Sequence, residues 1–437
     1  MTESRLNLRN EATGVARLAG REDAVIAVES RDHAKNNGVS PKNQRSRGNN
    51  MVNRAKVLFK SLVICSLFAF GISCSNNSNQ ADLSLILVRT GGKWGYINKK
   101  GEYAITPQFA DAFCFRDGLA SVLSFDGKIG FIAKDGKYKI AAQYKYATPF
   151  IEGLAFVVSE GGHPTCIDKS GKTKFVLEQA KYVFTFSEGL ALFADADFKV
   201  GFVNKSGKVV VNPQFDDARP FSEGLAAVMQ NRKWGFIDKT GKIVINLQFE
   251  EVGDFVNGRA VFSNGDMLGY IDAKGNYVIN PQFDEAGNFS EGLAPVLSGK
   301  MWGYITKDGK MEINPQFDEA ESFQSGLAVI EQNRKYGFIN KNGKMEINPQ
   351  FDEAFSFYGD IAFVKSAGKW GVIDKKGKYL VNPQFDFMKS VGKSFYIISD
   401  YVETEQFYEE DDGEEDDGYD GEREFEEYYP VEEVVAE

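Results

Sequence analysis

Histidine is nearly absent from this 437-residue chain, which holds only His33 and His163. That scarcity argues against a His-rich metal centre and against a conventional hydrolase triad from the outset. Tryptophan and cysteine number four each. No Gly-rich phosphate loop opens a helix, because no stretch shows the 3.6-residue apolar period of an amphipathic helix. A basic excess is missing too. Between Ser75 and Asp400 the 38 Lys and Arg residues are matched by 38 Asp and Glu. A neutral body lacks the concentrated cationic face that displaces counterions from phosphates, so nucleic acid is not an expected partner.

What charge there is sits at the ends. From Tyr401 to Glu437 the chain carries 18 acids against one Arg, and self-repulsion predicts a disordered acidic tail over 400–437. Neither Gly418 nor Gly421 has acids or amides at the spacings of an EF-hand loop, so no metal site is expected there. Residues 1–50 are polar and aperiodic and read as disordered or as a mis-assigned upstream segment. Met51 then opens a basic stretch (Arg54, Lys56, Lys60) followed by an apolar run from Leu62 to Ile72. As a helix those eleven residues span about half of a bilayer core, too little for a permanent anchor. The run ends at Gly71-Ile72-Ser73-Cys74, and a polar stretch covers 75–82.

A charged segment, a short apolar segment, small residues and a Cys resemble the bacterial lipoprotein signal over 51–74. The resemblance implies that Cys74 is lipidated, that 75–82 is a tether, and that the protein lies at the cell envelope, periplasmic or surface-exposed. The departure is Gly71, where that signal usually has Leu. With Cys65 in the signal and Cys74 acylated, only Cys114 and Cys166 remain. They occupy different positions of the repeat below, so no disulfide framework is expected.

The body, 83–399, is periodic. Lys233-Trp234-Gly235-Phe236-Ile237-Asp238-Lys239-Thr240-Gly241-Lys242 recurs as Met301-Trp302-Gly303-Tyr304-Ile305-Thr306-Lys307-Asp308-Gly309-Lys310. Anchored on the Gly after Trp, nine copies fall at Gly95, Gly130, Thr165, Gly201, Gly235, Gly269, Gly303, Gly337 and Gly371, the third being the most eroded. Each copy reads as three strands. Strand A holds Trp-Gly-aromatic-Ile, and its Gly suits close approach of another backbone. A tight hairpin with Gly at positive φ follows. Strand B, as in Tyr277-Val278-Ile279-Asn280-Pro281-Gln282-Phe283, has a Pro that belongs at an edge. A turn-rich stretch containing Phe289 leads to strand C, Leu293-Ala294-Pro295-Val296-Leu297. The apolar period stays at two throughout, so the fold class is all-β. One copy has too few apolar side chains to offset the cost of ordering itself, so copies must share their apolar sides.

These motifs, with Asn-Pro-Gln-Phe-Asp and Ser-Glu-Gly-Leu-Ala, resemble the bacterial WG-repeat (KWG-repeat) family over Leu83–Ser399. The resemblance implies an exported β-repeat protein of mostly unassigned role. A C-like strand precedes the first A strand (Leu83–Val88) and another follows the ninth copy (Phe395–Ile398). Ten C strands against nine A and B strands favour tandem three-stranded hairpin repeats in an open, curved solenoid, with a propeller-like closed array as the alternative.

Trp94, Trp234, Trp302 and Trp370 are candidates for contact with a ligand. Their equivalents Ile129, Pro164, Val200, Leu268 and Tyr336 are mostly aliphatic, which favours packing. The pairs Asp216/Asp217, Glu250/Glu251, Asp284/Glu285, Asp318/Glu319 and Asp352/Glu353 could serve acid-base or glycoside chemistry. Their repetition favours a shared turn instead. Glu152, Glu188, Glu223 and Glu291 each precede a Gly placed in a turn before strand C. No residue is assigned as catalytic and no cofactor is expected. The function expected is a non-enzymatic, lipid-anchored, monomeric binding or scaffold module for protein or glycan, the alternative being a hydrolytic enzyme using one carboxylate pair.

Overall fold

The computed structural model describes residue 82, residues 84–388 and the backbone of 396–398. The upstream segment, the signal with Cys74, the tether up to residue 81 and the acidic tail lie outside the described residues.

Among the described residues there are strands and turns and no helix. Nine antiparallel sheets follow one another as the blades of a β-propeller. Blade 5 is representative: a two-residue strand D (Asp217–Ala218), strand C (Leu225–Gln230), strand A (Lys233–Asp238) and strand B (Ile243–Phe249), hydrogen-bonded in that order. The expected three strands are therefore four. Strand D escapes a pattern reading because two residues show no alternation.

Strand D also closes the ring. Blade 1 takes strands C, A and B from Ile86–Thr90, Lys93–Ile97 and Tyr103–Phe109, and its D strand, Phe387–Met388, from the ninth copy. Val88 pairs with Met388 and Arg89 with Phe387. The open solenoid is thus replaced by the closed alternative. The strand count misled because Tyr396–Ile398 is no tenth C strand: it pairs with Tyr182–Ser187, the D strand of blade 4, which is six residues long where the other D strands have two.

The cores lie between blades. Trp234, Phe236, Ile245 and Phe249 of blade 5 pack with Val252, Phe255, Phe262 and Ile271 of blade 6. Ile86, Val88 and Ile97 of blade 1 pack with Ile361, Trp370, Val372 and Phe385 of blade 9, with Met388 between them. Nine such clusters join nine blades, each blade contributing to two. Burying apolar area against a neighbour is what lets so small a sheet persist.

The Gly of strand A answers to strand B. Trp302 faces Phe317 and Tyr304 faces Ile313, so strand B carries two extra residues opposite Gly303. A Cβ on Gly303 would stand 2.5 Å from the Ile313 carbonyl oxygen and 2.8 Å from the Pro315 nitrogen. Pro315 sits in this bulge on the edge strand, where no ladder hydrogen bond is lost. Blade 3 shows the converse. Its strand B (Thr173–Val176) lacks the Asn-Pro-Gln bulge, and there the anchor is Thr165.

Candidate binding surface

Connections D to C and A to B emerge at one end of every sheet, and connections C to A and B to the next D at the other, because the strands alternate in direction. The ring therefore has two faces built from different turns.

On the first face, the D–C connections of blades 2 to 9 are two-residue hairpins. Ser222 bridges to Leu225 around Glu223-Gly224, with φ of 53° and 83°. Two successive left-handed residues are the signature of the hairpin turn that matches strand twist. The Gly accepts this without strain, whereas the Glu is held there by its side chain. The Glu188 carboxylate accepts the Gly224 N–H at 2.9 Å, and that of Glu223 accepts the N–H groups of Asn257 and Gly258 at 2.7 and 2.8 Å. Glu152 reaches Gly189 and Glu291 reaches Gly326 in the same way. Asp117 and Ser325 do so at their positions, to Gly153 and Gly359. These six turns thus each grip the equivalent turn of the next blade. Ser222 adds a second link, its hydroxyl donating to the Phe255 carbonyl at 2.7 Å.

A lysine completes the grip. Lys205, Lys239 and Lys341, each the second residue of an A–B hairpin loop, lie 2.8, 3.1 and 3.1 Å from Glu152, Glu188 and Glu291 of the preceding blade. The signal for these pairs was present in the sequence as an acid and a lysine recurring at the same phase. They went unread because partners about fifty residues apart are not adjacent in any local pattern.

The opposite face carries the paired acids, and the two members of a pair part company. Asp216 accepts the Asn231 N–H at 2.8 Å and pairs with Lys199 at 2.5 Å. Asp284 and Asp318 hold Gly299 and Asn333 likewise. Lys335 lies 2.6 Å from Asp352, and Lys369 lies 2.6 Å from Asp386, holding both carboxyls below their ordinary range. The second acids turn elsewhere. Glu353 meets Lys365 at 2.6 Å, and Glu319 accepts the Tyr336 hydroxyl at 3.3 Å. At Glu319 burial dominates and raises the carboxyl, with Glu331 adding to it; Glu331, directly across the strands, is raised by burial as well.

Trp94, Trp234 and Trp370 are buried, and Trp302 is half-buried against the cluster joining blades 7 and 8. Trp370 stacks on Phe355 with centroids 4.8 Å apart, and its ring and that of Trp94 both meet Phe387 edge-on across the closure. Neither Cys114 nor Cys166 is in a disulfide. No group of three or more His, Cys, Asp or Glu able to hold a metal occurs among the described residues. A shallow depression of about 220 Å³ between Glu178–Lys181 and Asp195–Asp197 is smaller than the usual small-molecule site.

No curated protein matches the chain. Structural likenesses include the crystal structure of the computationally designed Ika8 protein (11% identity, 61% of this chain and 93% of that one, TM-score 0.37). BamB from Moraxella catarrhalis is another (10% identity, 60% and 96%, TM-score 0.32), as is KlHsv2 with loop 6CD replaced by a Gly-Ser linker (8% identity, 56% and 95%, TM-score 0.34). The profile of the WG containing repeat matches residues 94–128, 129–162, 201–234, 234–267, 269–300, 302–336, 336–370 and 370–399, skipping the copy anchored on Thr165. Seven of these units start at strand A of one blade and end after strand C of the next, and the last, 370–399, carries strands A and B of blade 9 and strand D of blade 1, so every repeat staples two blades covalently. These eight matches cover more than half of the sequence, and the chain belongs to the WG containing repeat family.

Proposed function

We propose that this chain is a non-enzymatic binding or scaffold protein of the cell envelope, exported and anchored by a lipid on Cys74, and that its nine-bladed ring presents a protein or glycan partner with a rigid surface. The observation that carries the non-enzymatic part is how the recurrent carboxylates are used. Glu188 is held by a backbone amide and a lysine of the next blade, as are Glu152 and Glu291, and Asp216 is held by the Asn231 amide and Lys199. An acid-base pair needs carboxylates converging on a shared substrate position, and these diverge. The exported part rests on the run from Arg54 to Cys74.

The test is metabolic labelling of the natural precursor with a fatty acid, followed by surface labelling of intact cells and capture with the immobilised ring. A labelled chain that loses its label in Cys74→Ser, and a ring that retains an envelope protein or glycan, is the expected result. An unlabelled chain found in the cytosol would remove the localisation.

A hydrolytic reading has one specific foothold, the facing carboxylates of Glu319 and Glu331, both raised by burial and both beside the Tyr336 ring. It would gain only if Glu319→Gln abolished a hydrolytic activity that Glu285→Gln, at the equivalent position, left intact.

A further inference from the structure

The balanced charge of the body conceals a segregation. The nine A–B hairpin loops, five residues each from Asn98–Glu102 to Asp374–Lys378, together hold eighteen lysines and seven acids, and all project from one face of the ring. Within each loop the lysines have separate roles. The first, as at Lys205, Lys239 and Lys341, is engaged with the acid of the preceding blade. The residue after the loop glycine is a lysine in seven blades, as at Lys242, Lys310 and Lys344, and each of these seven is exposed. The first and sixth blades have Glu102 and Asn276 there instead. Of the loop acids, Asp168, Asp238 and Asp374 are turned inward to accept the backbone N–H groups of their own hairpins.

We propose that this lysine-bearing face docks on an anionic lipid bilayer. Exposed cations carried one to a blade on seven of the nine blades suit a broad field of phosphates, and each lysine at such a surface adds attraction that falls off within a Debye length. The entry of the chain agrees. Asp82 pairs with Lys134, in the A–B loop of blade 2, and its N–H donates to the Phe115 carbonyl, so the chain joins the ring on this same face. A lipid on Cys74 would hold this face toward the membrane. That last step rests on the lipid-anchor reading, whereas the charge of the face does not.

The experiment uses the chain from Ser75 onward, which keeps all nine blades and lacks both signal and lipid, so that failure of lipidation cannot be mistaken for failure of the face. Co-sedimentation is measured with phosphatidylcholine vesicles with and without phosphatidylglycerol. Binding is expected only with phosphatidylglycerol, and is expected to disappear in high salt. Lys310→Glu, Lys344→Glu and Lys378→Glu together should weaken it about 100-fold or more, three lysines' worth of surface attraction. The same charge change at Lys93, Lys233 and Lys300, at or beside the C–A turns of the opposite face, should leave it within about threefold of the parent. Equal losses in the two triple variants, or no preference for the anionic vesicles, would overturn the proposal. So would binding to soluble polyphosphate without binding to vesicles.

Discussion

Glu188 and Gly224, on neighbouring blades, are joined by a 2.9 Å hydrogen bond from the glycine N–H to Oε2, the oxygen that also lies 3.1 Å from Lys239 Nζ. One carboxylate therefore locks the turn of the next blade and the hairpin beside it. Since Glu188 itself sits at φ 52°, the latch also offsets a backbone conformation that a non-glycine residue adopts at a cost of about 1 kcal/mol or more. Glu188→Ala should keep the unfavourable φ and lose the charge-assisted bond, for a destabilisation of about 2 kcal/mol in denaturant unfolding. Glu188→Gly should cost less. Hydrogen exchange at the Gly224 amide should rise in both variants, and unchanged protection would show that the latch contributes nothing.

Gly303 tests the bulge. With the Ile313 carbonyl 2.5 Å from the position of a Cβ, Gly303→Ala forces strand B away from strand A and should cost about 3 kcal/mol or more. At Thr165, where strand B runs without the two extra residues, Thr165→Ala should change stability by no more than about 1 kcal/mol. Comparable losses at the two sites would mean that the glycine serves something other than this close approach.

The two sites also mark what the sequence could disclose. Strands A, B and C were legible because alternation and the 34-residue period are local or directly repeated, and the Gly of strand A was legible because no side chain is tolerated beside a bulge. Strand D was not, since Asp217–Ala218 carries no period. Closure was not either, because Val88 and Met388 stand 300 residues apart and nothing near either residue announces the other. The roles of Glu188 and Asp216 were half legible: recurrence pointed to a shared turn, while their partners on the adjacent blade required coordinates.

The facing carboxylates of blade 8 predict a pH dependence. Burial raises Glu319 and Glu331 above the ordinary glutamate value of 4.5, so the folded state binds their protons more tightly than the unfolded chain does. Their effect is to make stability fall as pH rises from about the ordinary value through the raised one, with no further change above it. Asp352 and Asp386, lowered by their lysines, act in the opposite sense and cost stability as pH falls below the ordinary aspartate value of 3.8. Blade 9 places Lys365 where blade 8 has Glu331. Glu331→Lys should therefore flatten the decline of the urea midpoint that sets in above the ordinary glutamate value and leave the loss below the ordinary aspartate value in place. A parallel shift of the whole curve would deny the pair its role.

Thiol chemistry offers a readout of opening. Burial pushes the Cys166 thiol up to about 12, and it lies in the cluster joining blades 3 and 4 beside Phe156 and Phe186. At neutral pH it is almost wholly protonated and shielded. Alkylation of Cys166 should proceed only as fast as those blades part, whereas the half-buried Cys114 should react first. Peptide mass analysis after a timed iodoacetamide pulse gives both rates, and equal rates in the folded chain would contradict the packing.

Ring closure depends on two residues, Phe387 and Met388, supplied by the last repeat, 370–399. Met388 is fully buried in the cluster shared by blades 9 and 1, and Phe387 touches the rings of both Trp94 and Trp370. Met388→Ala should cost about 2–5 kcal/mol, the range for emptying a buried methionine. In an open array the loss would fray one end and spare the rest. In a ring it should instead expose both flanks of the seam, so exchange should accelerate at Val88 and Arg89 of blade 1 and at Trp370 of blade 9 together, with the blades opposite unaffected. A chain ending at Asp386 should show the same pattern more strongly and a larger radius of gyration in solution scattering. Faster exchange at blade 9 alone, with blade 1 protected as before, would be incompatible with closure through the Val88–Met388 pairing.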